Sequence, residues 1–491
     1  MNYEHKFAQS RRETKGLVLA ALLIGLIAVQ ARAEENSAPA AQASANAQAA
    51  ANAPAPAAQA SANAPAPQSA EAPALLTLAK AREAALANSN ALKEAGIDIE
   101  SALLTEKQQS YTYLPSISAS VTGSASYDAG KGSTLGDSLG VSAKLSLSET
   151  VWDGSAAVLA RIDRLATQSA REAARVSYYT TLDTADSCYF SVLENEAIVE
   201  AAKSALETAR INFSVADAKY SAGTITRTDY LEYESEVSSN ETALSQAQRD
   251  LSLARRKLSS YTGMALPFSL EQIDFNSYDE MINRVSAYSE EQGDSFAAAL
   301  RKLAEASNPE LAQARIAVEK ANAAVDEARA AYLPTVSASV SNTTSVSAGS
   351  GFDPASGSIS VTAAVPLNIW ATKTKVDIAD SAAKKTNLQS EETKRTFGLD
   401  VDSAVFDCMA QARSVISSEK AYEYAKNHYE SELELYKLST ASSTALSTAA
   451  QLVSTNLKSL IAARYGFLSC IAQIRSIGAF ESDEAVMKVF P

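Results

Sequence analysis

The chain has 491 residues, a formal net charge of −14 and two histidines. The acidic surplus excludes nucleic acid as a partner. With His428 the one histidine beyond the first few residues, imidazole catalysis or a histidine metal cluster has little to build on. Alanine is abundant and aromatics are 7%, a composition suited to closely packed helices rather than a bulky interior.

The first segment, 1–33, has the pattern of a secretory signal. Arg11, Arg12 and Lys15 precede an apolar run from Leu17 to Val29, and Ala31-Arg32-Ala33 fits the cleavage rule. No other apolar run reaches transmembrane length, so entry into a membrane would have to use strands. The cysteines, Cys188, Cys408 and Cys470, lie away from the cleavage site and in helical patterns. They are expected to be buried thiols, not lipid anchors. Residues 34–74 are Ala/Pro/Gln/Asn/Ser with repeated blocks, and Asn36 to Ala70 carries no charge. Such a stretch cannot bury a core and reads as a disordered tether.

From residue 75 the chain repeats itself. Tyr113-Leu114-Pro115-Ser116-Ile117-Ser118-Ala119-Ser120-Val121 returns as Tyr332-Leu333-Pro334-Thr335-Val336-Ser337-Ala338-Ser339-Val340. An Ala-rich helical pattern precedes each copy and period-two alternation follows it. A first structural repeat is therefore expected over 75–263 and a second over 296–480, joined by a linker of mixed composition over 264–295 and followed by a tail over 481–491.

In the first repeat a helix is expected over 75–112, stopping at Tyr113-Leu114-Pro115, because the residue before proline avoids the α region. Ile117, Ala119 and Val121 alternate with serines. After a Gly-rich turn, Val141, Ala143, Leu145 and Leu147 alternate with Ser142, Lys144, Ser146 and Ser148. Both segments read as strands with unlike faces. Residues 155–220 hold no Pro or Gly and predict one helix of roughly 100 Å. Thr226-Arg227-Thr228-Asp229 predicts a capping box opening a helix over 226–262 that Gly263 ends. Large residues recur by seven at Val192, Val199, Leu206 and Phe213, and again at Val237, Leu244, Leu251 and Leu258. Small or polar residues follow three later, the pattern of a coiled-coil seam. The second repeat predicts helices over 296–331, 371–436 and 446–476, with strands around Val336 to Val340 and Ile359 to Leu367. Trp152 and Trp370 close the second strand of each pair. They could mark a membrane–water boundary or merely pack at a helix–strand junction.

Four strands leave two open edges, which cannot sit in lipid because every backbone group there needs a partner. Either the strands form a soluble sheet, or several chains pool them into one closed barrel; three chains would supply 12 strands. The signal pattern and the terminal tryptophans favour pooling.

The ordered set of motifs resembles the outer-membrane efflux proteins of the TolC family across residues 75–480. It comprises the two Tyr-Leu-Pro copies, Asn308-Pro309-Glu310-Leu311, Val151-Trp152-Asp153-Gly154, and Tyr220-Ser221-Ala222-Gly223-Thr224 followed by Thr228-Asp229. The resemblance implies a mainly α protein with a membrane β part: a homotrimer with a 12-stranded outer-membrane barrel continued by a long periplasmic helical tunnel. It implies passage of drugs, metals or secreted proteins from an inner-membrane transporter through a periplasmic adaptor. Neither catalysis nor a cofactor is implied. Pro115, Trp152, Pro334 and Trp370 would stand at the barrel junction. Tyr220, Arg227 and Asp229 would stand at the far tip as entrance-gate candidates, with the alternative that Asp229 simply caps its helix. The chain departs from the family pattern at Asn88-Ser89-Asn90, at the second tip Tyr436-Lys437-Leu438-Ser439-Thr440, which lacks matching charges, and at the second exit Asn368-Ile369-Trp370. A periplasmic coiled-coil adaptor or structural protein is the alternative reading. It would show one helical hairpin, not two within a duplicated pattern.

Overall fold

A computed structural model describes residues 75–125, 139–347, 351–438, 440–480 and Val486. The expected signal segment 1–33, the whole 34–74 tether, most of the Gly-rich turn and the 481–491 tail apart from Val486 lie outside the described residues. In the first half the elements are β1 (Leu75–Leu76), α1 (Leu78–Asn88), α2 (Asn90–Ser110), a 3-10 turn (Tyr111–Tyr113), β2 (Ser116–Ala125), β3 (Leu139–Asp153), α3 (Ala156–Ser221) and α4 (Arg227–Thr262). There follow β4 (Ser269–Leu270), α5 (Asn276–Ser286), α6 (Glu290–Ser307), α7 (Pro309–Ala330), β5 (Thr335–Ser347), β6 (Gly351–Ala364), α8 (Ile369–Lys437) and α9 (Ser443–Gly478). Helices α3 and α8 hold 66 and 69 residues, or roughly 100 Å each.

The helices expected over 75–112 and 296–331 differ from expectation in one respect: each is two. At Ser89 the backbone leaves the helical region (ψ 117), and the hydroxyl accepts from Leu92 N at 3.3 Å to restart the helix. Asn308 does the same work in the second half, where its Oδ1 accepts from Glu310 N at 2.9 Å and Leu311 N at 3.1 Å. Ser and Asn are both good N-caps, and Pro309 suits the first helical position. The Asn-Ser-Asn departure therefore preserves the break. The inter-repeat segment contributes β4 and α5, and α6 begins inside it at Glu290.

Leu114 before Pro115 is extended (φ −89, ψ 145), so the helix ends where the sequence places it. The four longer strands form one antiparallel sheet in the order β2-β3-β5-β6, so that the halves join through β3 and β5. Residues directly opposite share a face. Ser116, Ser118 and Ser120 lie opposite Ser148, Ser146 and Lys144; Ser339 and Ser341 lie opposite Ser360 and Ser358. The other face carries Ile117, Val121, Leu145, Val340, Ile359 and Val361, interrupted on β5 by Asn342 and Thr344. Ile117 and Val121 are 75% exposed and Ile359 82%. β6 ends at Ala364, short of the predicted Leu367, because Pro366 cannot donate to a ladder.

The main core sits where the short helices meet the middles of α3, α8 and α9. Tyr189, Leu193, Val285, Leu300, Val405 and Phe467 are among its buried members. β1 pairs in parallel with β4, and Tyr189 Oη shares its proton between Leu76 O (3.1 Å) and Glu271 O (3.0 Å), pinning that small sheet to α3. Asp186 of α3 is fully buried and accepts from Arg82 of α1 and Arg475 of α9. The heptad seam forms as read: Val199, Ala202 and Ala247 are buried between α3 and α4, with Leu244 and Leu251 against them. All three cysteines are free thiols; Cys188 and Cys408 are buried and Cys470 partly so. No helix among the described residues is long and apolar enough to cross a membrane.

Candidate functional sites at the sheet junction and the helical tip

At the junction, Pro115 and Pro334 precede β2 and β5 at the same end of the sheet. Simple alternation along β3 puts Trp152 on the serine face. The register shifts between Thr150 and Trp152, so that Thr150 faces Ser337 and Trp152 faces Val336. This bulge inserts Val151 as the extra residue and turns Trp152 to the apolar face, as bulges re-aim side chains. Trp370 is not in a strand. It lies in the first turn of α8, and it is 82% exposed against 42% for Trp152. Leu114, Leu333, Leu367 and Ile369 are exposed around them, a belt of aromatic and aliphatic side chains suited to a lipid–water boundary.

The two exits differ for a packing reason. A Cβ on Gly154 would stand 2.5 Å from Leu333 Cβ and 2.6 Å from its Cδ1. Only glycine lets the end of β3 pass over the second Tyr-Leu-Pro stop. Asp153 Oδ1 then accepts from Ser155 N and Oγ, each at 2.8 Å, and turns the chain into α3. At the second exit Asn368 Oδ1 accepts from Ala371 N at 3.4 Å and caps α8 without a glycine. Sequence reading noted the missing Asp-Gly but could not see Leu333.

At the other end of α3, the α3–α4 and α8–α9 turns meet. The predicted capping box is present. Asp229 N donates to Thr226 Oγ1 at 3.2 Å, and Thr226 N donates to Asp229 Oδ2 at 3.1 Å. The Thr226 hydroxyl and backbone N–H, helped by Ser443, hold the Asp229 carboxyl below the usual carboxylate range. The Ser443 hydroxyl donates to Asp229 Oδ1 at 3.1 Å, so the cap also bridges to the second hairpin. The Tyr220 and Tyr230 rings pack at 4.9 Å between centroids, tilted by 32°. Arg227 is exposed and has no ion pair among the described residues. Tyr220, Arg227 and Asp229 thus share one turn without hydrogen bonds to one another.

Three further contacts close the tip. Buried Tyr233 donates through Oη to Ser443 O at 3.3 Å. Lys219 Nζ donates to Tyr436 O at 2.5 Å and lies 3.7 Å from that tyrosine's ring centroid. Burial pushes the Lys219 pKa down. Tyr429 Oη donates to Asn212 Oδ1 at 3.2 Å. The second tip lacks charges matching Arg227 and Asp229; it supplies hydroxyls, a ring and carbonyls to the polar groups of the first. Sequence inspection missed Lys219, Tyr233 and Ser443. The recurrence of a tyrosine at 220 and 436 just before each turn was the available signal.

The fold is that of outer-membrane channels. CmeC of Campylobacter jejuni aligns at TM-score 0.65 and 17% identity over 84% of this chain and 88% of its own. VceC of Vibrio cholerae aligns at 0.63 and 16% over 82% and 96%. CusC, whose structures concern folding and transmembrane channel formation, aligns at 0.67 and 14% over 82% and 91%. No curated protein sequence matches the chain. The profile of outer membrane efflux proteins matches residues 81–264 and 300–477, both halves of the duplication. The chain therefore belongs to the outer membrane efflux protein family, located in the outer membrane with its helical part in the periplasm.

Proposed function

We propose that three copies of the chain pool their sheets into one closed 12-stranded barrel and act as a passive conduit, receiving substrate from an inner-membrane transporter through a periplasmic adaptor. The observation that carries this reading is the four-stranded sheet itself. Its edges β2 and β6 are unpaired while one face is apolar and exposed. Such edges are excluded from lipid unless another chain pairs them. The work asked of the chain is conduction, for efflux or type I secretion, without catalysis or a cofactor. Crosslinking in detergent followed by mass measurement is expected to give three chains. A stable monomer with protected amides along β2 and β6 would defeat the trimer.

The tip is the entrance in this reading. Three copies bring three Arg227 and three Asp229 around one axis, with Tyr220 behind them. Single exposed pairs are worth about 0–1 kcal/mol, so only a ring would hold the pore narrow. Arg227→Ala and Asp229→Ala should raise single-channel conductance in planar bilayers, and the difference should shrink at high salt. Unchanged conductance with lowered thermal stability would leave Asp229 as a helix cap alone, worth about 1 kcal/mol.

A further inference from the structure

The sheet's polar face has a composition with a consequence for what passes. Over 116–122, 142–150, 337–345 and 356–362 the residues on that face are all Ser or Thr, with Lys144 the one exception. The hydroxyls pair across strands: Ser118 with Ser146 at 2.8 Å, Ser339 with Ser360 at 2.8 Å and Ser341 with Ser358 at 2.9 Å. These short side chains are satisfied by one another and leave no charge. Lys144 stands between Ser120 on β2 and Thr343 on β5, both neutral. It is exposed and has no ion pair among the described residues. Asp353 of β6 lies opposite Ser345 and so on the hydroxyl face, one pair beyond Thr343 toward the β5–β6 turn. The other acids of the strands are committed elsewhere. Glu149 is on the opposite face by register, opposite Ala338, and Asp153 holds Ser155 at the sheet's end.

We propose that Lys144 is a charge-selectivity residue of the channel. This rests on the three-chain barrel proposed above, with the hydroxyl face inward. Symmetry then places three Lys144 ammonium groups at one height in a stretch of bore otherwise lined by hydroxyls, with Asp353 the other charge that the register puts on that face, nearer the β5–β6 turn. Rings of basic side chains favour anions in narrow pores, and lumen-facing substitutions in barrels tune selectivity. The Debye length is about 10 Å at 0.1 M salt, so at modest ionic strength each ammonium acts on ions within about that distance. The solutes it favours are neutral hydroxylated molecules and those bearing carboxylate, phosphate or sulfate groups. Cationic solutes are held back.

The test is the reversal potential of single channels in planar bilayers across a KCl gradient, for wild type, Lys144→Ser, Lys144→Glu and Glu149→Gln. Lys144→Ser continues the pattern of the face, so its folding is not in question. The K⁺/Cl⁻ permeability ratio is expected to rise at least about twofold in Lys144→Ser and further in Lys144→Glu. Glu149→Gln should stay close to wild type, and the differences should fade near 1 M salt, where the Debye length is about 3 Å. Wild type and variants conducting with one common ratio would overturn the role of Lys144 and leave the barrel standing. A wild-type protein that forms no conducting channel would instead overturn the barrel, and the inference with it.

Discussion

Replacing Asp186 by alanine should loosen the join between the halves of the molecule. Asp186 is 0% exposed; Arg82 Nε lies 2.6 Å from Oδ1 and Arg82 Nη2 2.9 Å from Oδ2, while Arg475 Nη2 also donates to Oδ2. The Arg475 side chain is 2% exposed and that of Arg82 20%. Arg82 can therefore turn to water when the carboxylate is removed, whereas Arg475 cannot. Breaking a buried pair by deleting one partner costs up to about 3–5 kcal/mol, because a charge loses a hydrogen-bonded counter-charge in a poorly polarisable interior; Asp183, whose carboxyl feels the Arg475 charge, offsets part of this. Most of that cost falls on Arg475, near the end of α9. Global unfolding of a membrane protein is a poor readout, being usually irreversible. Native-state amide exchange reports local opening. Exchange over residues 468–478 should accelerate by up to roughly a hundred- to a few-thousandfold in Asp186→Ala, the conversion being tenfold per about 1.4 kcal/mol. Asp186→Asn, which keeps the shape, should do less. The paired change Asp186→Leu with Arg475→Met should recover most of the loss, since hydrocarbon of similar volume replaces a buried ion pair at little cost. Exchange in Asp186→Ala within about threefold of wild type would refute the energetic role of the cluster. A double variant as labile as the single one would show that shape, not charge, was lost.

Gly154→Ala should lower the melting temperature measured by circular dichroism, because the added Cβ meets Leu333 at 2.5 Å. Overpacking of this kind costs about 1–3 kcal/mol, and Leu333→Ala in the same chain should restore only part of it, because it removes Cδ1 and Cγ but keeps the Cβ at 2.5 Å. Burial, with Glu232 adding and Ser447 opposing, pushes the Glu236 carboxyl above its ordinary 4.5. An acid with a raised pKa favours the folded state while protonated, and that contribution is lost as pH rises through the raised value. Glu236→Gln should therefore melt higher than wild type near neutral pH, with the gain disappearing below 4.5; a gain independent of pH would contradict the assignment. Deleting Val151 removes the bulge and should swing Trp152 from the apolar to the hydroxyl face. In a Trp370→Phe background, Trp152 is the one tryptophan left. Its fluorescence should pass from quenching by lipid-borne bromine to quenching by aqueous iodide; persistence of lipid quenching would show that the bulge does not set its direction.

Much of this protein is local in origin. The duplicated Tyr-Leu-Pro stops, the two helices of roughly 100 Å, the strands of period two and the Thr226–Asp229 capping box all depend on residues within a turn or a few pleats of one another. Backbone sterics and side-chain periodicity act over that range, so the sequence alone determined them, and the order of the motifs sufficed for the family. The break at Ser89 was hidden because it sits in a stretch whose apolar spacing runs on unbroken, whereas Asn308 before Pro309 carries the same stop as Leu114 before Pro115 and was passed over. What the tertiary structure decided joins residues that are far apart in the chain. Asp186 and Arg475 are separated by 289 positions, Asp229 and Ser443 by 214. Gly154 meets Leu333 only because β3 pairs with β5 across the two halves. The facing of Trp152 depends on one residue of slippage between those strands, which alternation along a single strand does not encode. The second tip, without matching charges, makes sense only beside the first, whose Asp229, Tyr233 and Lys219 find their partners there. Burial and pairing at such separations depend on the whole packing, and no local pattern carries them.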